Sequence, residues 1–158
     1  MSRARGLKLD LARGTRAWSP ARSRMTHWAA AALGRRGEGR EIAVRIVGTD
    51  ESRELNRLWR GKDKPTNVLS FPAPDQSTRG KQLDVHLPLG DLVICAPVVR
   101  REASRDGKKV AAHWAHMVVH GALHLAGYDH EQGRRERLRM ERREIAVLKS
   151  FGIGNPYT

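Results

Sequence analysis

With 158 residues and 39% hydrophobic content, the chain can bury one sizeable core, which excludes a disordered chain. Its formal net charge of +13 points to a polyanionic partner, with nucleic acid the first candidate. A single cysteine excludes an internal disulfide and fits a reducing compartment, and no apolar run approaches the roughly 18 residues of a membrane span. Residues 1–40 carry ten Arg or Lys against two Asp or Glu, so most of the excess charge lies there. The first 25 residues lack the apolar core of a signal peptide. A cytoplasmic protein with no membrane contact is expected.

The elements follow in chain order. Leu7, Leu9 and Leu11 alternate as a strand over residues 6–12. In the next segment Ser19 is placed to cap a helix, Pro20 suits its first position, and Gly34 ends it. Met25, Trp28, Ala29, Ala32 and Leu33 form its apolar stripe. "REIAVRIVG" reads as a second strand with Ile42, Val44 and Ile46 on one face. A short helix then starts at Thr49 or Asp50, with Leu55, Leu58 and Trp59 expected to pack inward. Gly61 and Pro65 mark a loop, residues 67–71 a short strand, and residues 73–82 an exposed polar loop. Leu83, Val85 and Leu87 alternate into the buried run "GDLVIC". Pro97 opens a helix that stops near Gly107, a long helix begins near Lys108, and a last one spans about 133–149. Neither an internal repeat nor an interdomain linker is evident, so one domain over residues 1–158 is expected.

The long helix carries a core face, with Val110, Trp114, Met117, Val118, Gly121 and Leu125, and an adjoining face of His113, His116, His120 and His124. Residues four apart share one side of a helix, so His120 and His124 can converge on one metal ion. Gly127 permits a turn that would return His130 to the same ion. The resulting H-x3-H-x5-H spacing is that of the metzincin signature. Three histidines suit zinc, and three protein ligands with an open position are the mark of a catalytic site. Such a site can lower the pKa of its water to about 7. Asp129 adjoins His130 as a competing ligand, whereas Cys95 reads as a small buried residue. The zinc proteases of this spacing place a glutamate after the first histidine; here that position is Gly121, which cannot take a proton.

Two blocks, "LNRLWRGKDKPTNVLSFP" (55–72) and "HWAHMVVHGALHLAGYDH" (113–130), with "GDLVIC" (90–95) as a weaker third, resemble the YbeY family of bacterial rRNA maturation factors. The resemblance covers roughly residues 6 to 150. It implies a single α+β domain, with a small mixed four-stranded sheet flanked by helices and a metal site on the long helix and the turn after it. It also implies a metal-dependent, single-strand-specific endoribonuclease acting in 16S rRNA maturation and ribosome quality control. The family's metal ligands fall on His120, His124 and His130, with one zinc per chain, and its characteristic arginine falls on Arg60. Arg60 is then the candidate catalytic residue, and Arg60, Lys62 and Lys64 the candidate RNA contacts. Single-stranded RNA, rRNA, the small ribosomal subunit and ribosome-associated proteins are the expected partners. Two positions depart from the family pattern: Asn67 stands where many members have Asp, and "EQGRRERLRMERRE" after His130 is basic where an acidic segment is expected. Two other classes stay open on the residues alone. One is a zinc peptidase, and the other is a noncatalytic ribosome-assembly factor with a structural zinc.

Overall fold

A computed structural model describes residues 6–74, 86–129 and 133–158. The strands are β1 (Lys8–Arg13), β2 (Arg40–Val47), β3 (Val68–Pro72) and β4 (Leu87–Cys95). The α-helices are α1 (Arg22–Leu33), α2 (Thr49–Arg60), α3 (Ala96–Arg105), α4 (Val110–Leu125) and α5 (Arg134–Ser150), with a 3-10 turn at Gly34–Gly37. The sheet order is β1-β2-β4-β3; β1, β2 and β4 run parallel, and β3 pairs antiparallel to β4. The fold is the expected α+β arrangement with a small mixed sheet. Leu83, Val85, His130 and residues 75–82 of the expected polar loop lie outside the described residues.

The two faces of the sheet bury different amounts of apolar surface. On one face Ile42, Val44 and Ile46 of β2 meet the α1 stripe, Trp114 and Val118 of α4, and Met140 and Leu148 of α5. On the other, Val47, Leu69, Val93, Cys95 and Val98 form a smaller cluster backed by Leu55 and Phe71. Cys95 is therefore a buried core residue, and burial pushes its thiol pKa up.

Three local expectations are corrected. Leu58 and Trp59 do not pack inward; they are 60% and 67% exposed, and only Leu55 of that trio joins a core. The reason is α2's position against a small cluster, which needs one narrow stripe: Ser52 and Asn56 fill the rest of it and bond the following loop through the carbonyls of Thr66 and Lys64. Helix α1 starts at Arg22 rather than at Pro20, because the Ser19 hydroxyl accepts from Arg13 Nε and the Pro20 carbonyl accepts from the same guanidinium. Helix α2 begins after Gly48 with no side-chain cap, although Asp50 and Glu51 in its first turn complement the helix dipole.

Close approach of backbone to backbone sets the β3–β4 edge. Register shifts between Glu41 and Ile42 leave Leu89 as an extra residue on β4, and Gly90 follows it with φ of 153°. A Cβ on Gly90 would lie 2.6 Å from the Phe71 carbonyl oxygen and 3.0 Å from Pro72 Cα. Backbone cannot yield as a side-chain tip can, so Gly90→Ala should cost about 2 kcal/mol. A fall in thermal midpoint of roughly 4–8 °C is expected by calorimetry, and an unchanged midpoint would refute this reading of the edge.

Candidate metal centre and cleft

Helix α4 crosses the larger core and carries four histidines down one side. His113 and His116 are buried, whereas His120 and His124 are half-buried and open onto a cleft of about 710 Å³. The rings of His120 and His124 lie 4.7 Å apart at 73°. Helix α4 ends at Leu125, and Gly127, with φ of 99°, makes the expected turn, its amide donating to the His124 carbonyl. Arg60 and Trp59 from the end of α2, Asn67 and the β3 edge, and Asp129 line the same cleft. The fold thus brings Arg60 into the same cleft as His120 and His124, although about sixty residues of chain separate them. Lys62 and Lys64 are exposed in the adjoining loop and are not among the described lining residues.

Behind the cleft lies a group that the sequence alone did not single out. The carboxylate of Glu144, on α5, is fully buried. Its Oε1 accepts from His120 Nδ1 at 2.7 Å; its Oε2 accepts from His116 Nε2 at 2.8 Å and from the Tyr157 hydroxyl. Burial alone would push this carboxyl up. The bonds from His116 and His120, the charge of His120 and the Tyr157 hydroxyl outweigh it, and the carboxyl is lowered to about 2. Burial and the neighbouring Glu144 raise the Tyr157 hydroxyl, so it stays a donor. Burial lowers His116, and the neutral ring donates through Nε2.

These bonds choose tautomers. An ionised carboxylate only accepts, so each nitrogen facing it carries hydrogen. The neutral tautomer of His120 therefore has its proton on Nδ1 and its lone pair on Nε2, the form in which an imidazole binds a metal. Ligand atoms of His116, His120 and Glu144 lie within 4.8 Å of one another, a grouping that could itself hold a metal ion. A second carboxylate supports the start of the row: Glu102 Oε1 accepts from His113 Nε2 at 2.9 Å and from Asn67 Nδ2 at 3.1 Å. Asn67 Oδ1 in turn accepts the Val68 amide. An aspartate at position 67 would set a like charge against Glu102, so the asparagine is matched to its neighbour.

Gly121 is answered by packing. A Cβ there would lie 2.8 Å from Leu92 Cδ2, since this side of α4 rests on β4. Position 121 faces the sheet, so a larger side chain there would have to displace the tip of Leu92. The basic segment after His130 serves the fold in part. Arg143 donates to the carbonyls of Ala31 and Ala32 at the end of α1, while Arg139 and Arg36 flank the Tyr128 ring.

Signals for Glu144 exist in the sequence. It sits with Met140, Val147 and Leu148 at helical spacing, a charged residue on a core stripe. Tyr157 gave none. The depressed Glu144 carboxyl should stabilise the metal-free protein fully above pH about 4.5, with the contribution lost as pH falls toward about 2. The expected size is on the order of 3 kcal/mol. Acid unfolding followed by circular dichroism should show this slope flattened in Glu144→Gln, and equal slopes would contradict the assignment.

Comparisons with known proteins place the chain in a family. The family model described as Endoribonuclease YbeY matches residues 16–152. An Endoribonuclease YbeY from Halorhodospira halophila is 51% identical over 139 residues, 88% of this chain and 88% of that one. One from Methylococcus capsulatus is 50% identical over 153 residues, covering 96% of this chain and 95% of its own. The solution structure of TM1509 from Thermotoga maritima aligns with a TM-score of 0.55 at 25% identity, over 91% of each chain. With this much of its length matched by the family model and by those relatives, the chain belongs to the YbeY endoribonuclease family.

Proposed function

We propose that the cleft is the active site of a cytoplasmic, metal-dependent, single-strand-specific endoribonuclease that acts in 16S rRNA maturation and ribosome quality control. Its partners are then single-stranded RNA, the small ribosomal subunit and ribosome-associated proteins. One zinc ion per chain is held by His120, His124 and His130. The observation that carries the reading is the buried Glu144 carboxylate on His120 Nδ1, which makes Nε2 the metal-binding nitrogen. We read Glu144 and His116 as support for the ligands rather than ligands, because both Glu144 oxygens are occupied by histidine and tyrosine donors. Zinc held there supplies Lewis acidity toward water and a phosphoryl oxygen.

The chain's own residues do the rest. Arg60 sets a planar guanidinium against the scissile phosphate, where negative charge grows in the transition state. Trp59, exposed beside it with its ring edge-on to Phe71 at 5.7 Å, offers a face for a base. Lys62 and Lys64 meet neighbouring phosphates as point charges. Two features favour this over the other classes. Position 121 is a glycine, which cannot serve as the general base that zinc proteases place there. The open cleft beside His120 and His124 fits a catalytic metal better than a closed structural one.

Elemental analysis and cleavage of single-stranded RNA test the reading together. His124→Ala should lose most of the zinc and the activity. Arg60→Ala should keep zinc and fold and lose two to three orders of magnitude in rate, with RNA affinity changing far less. Arg60→Lys should recover only part of that rate. Wild-type cleavage by both alanine variants would assign the activity to a contaminant and refute the proposal.

A further inference from the structure

A second concave surface lies away from the histidines. Strands β1 and β4 run the same way, and the chain leaves both at one end of the sheet. The loop after β1 and the start of α3 diverge there and enclose a crevice of about 920 Å³, which shares no residue with the cleft. Its walls carry Trp18 from the loop and Arg100, Arg101 and Arg105 from α3, over a floor that includes Ala96 and Pro97. Helix α3 buries Val98, Val99 and Ala103 and so turns these arginines outward.

Three properties of the crevice point to a ligand. Trp18 is 55% exposed, and burying it would remove a large apolar face from water. The loop that presents it is braced, with Arg13 bonded to Ser19 and to the Pro20 carbonyl, the Ala17 amide bonded to the Thr15 hydroxyl, and the Gly14 amide bonded to the Ile46 carbonyl at 2.7 Å. Arg105 is neutralised by Asp106 at 3.0 Å, whereas Arg100 and Arg101 have no carboxylate partner among the described residues. An indole face beside two uncompensated guanidinia matches a base joined to phosphates; an acidic peptide would use the charges and leave the indole exposed.

We propose that this crevice is a second RNA-binding site, in which Trp18 stacks a base and Arg100 and Arg101 hold phosphates of the strand being cut in the cleft. The proposal rests on the reading of the protein as a nuclease of single-stranded RNA. Val110, at the first turn of α4, lines the crevice, and His120 and His124 line the cleft. That separation is roughly 15–20 Å along the helix, a distance that a few extended nucleotides cover. The crevice would then discriminate by length, favouring long unpaired segments over fragments.

The test uses the full chain with zinc, Trp18→Ala, Trp18→Phe and Arg100→Gln/Arg101→Gln. Each is assayed on a minimal oligonucleotide that fills only the cleft and on a strand several times longer. These side chains are exposed, so the variants should fold. For the long strand, Trp18→Ala should raise Kd and KM about tenfold, the scale of one base stack, with kcat unchanged, and Trp18→Phe should restore most of the affinity. The arginine variant should reduce the slope of log affinity against log salt by about 0.7 for each phosphate it no longer neutralises. All variants should cut the minimal oligonucleotide like wild type. Wild-type affinity of the variants for the long strand would overturn the proposal, as would polyglutamate outcompeting RNA for the crevice. If wild type cuts neither RNA, the nuclease reading fails; the binding measurement then judges the crevice separately.

Discussion

One buried carboxylate organises this molecule. Glu144 arrives on the last helix, sits under α4, and takes one hydrogen bond from each of two histidines and one from Tyr157 near the end of the chain. A lone buried carboxylate would be costly, and a lone row of neutral imidazoles could hold either tautomer. Together each settles the other. The carboxylate is kept ionised by its donors, and the histidines are oriented by the acceptor. The same interaction ties α5 and the C-terminal segment to the helix that bears the site, so the packing of the fold and the chemistry of the cleft share a joint.

Small residues let the neighbouring elements come close enough for this to matter. Gly121 allows α4 to rest on Leu92, and Gly90 allows β3 to approach β4. These close approaches set the distance between the histidines of α4 and the β3 edge, which forms the far wall of the cleft. The glycine after His120 thus packs closely on Leu92, and it is a chemical difference from zinc proteases. The family's match over residues 16–152 includes both glycines and every described residue of the cleft.

Much of this was legible in the sequence, and the parts that were not share a cause. Periodicity exposed the α1 stripe, the β2 face and the two faces of α4, because each reflects burial against a large, continuous core. It misplaced Leu58 and Trp59, since α2 covers a small cluster and its polar Ser52 and Asn56 take the inner positions. The histidine spacing and Gly127 were readable because ligands four residues apart and a turn are local features. Glu144, Tyr157 and Glu102 act across 11 to 41 residues of sequence, and only the tertiary fold brings them to the histidine row. Ser19 shows the same limit on a smaller scale: a good capping residue was taken by Arg13 instead.

Metal binding through His120 Nε2 depends on which nitrogen of that ring carries the proton. Nitrogen-15 NMR of the metal-free protein, with ring signals assigned through His120→Gln, reads that directly. With Glu144 accepting from the ring, the neutral tautomer of His120 should carry its proton on Nδ1, and Glu144→Gln should abolish that preference. A His120 protonated at Nε2 in the wild-type protein would contradict it, because the carboxylate would then not be presenting the ring to a metal.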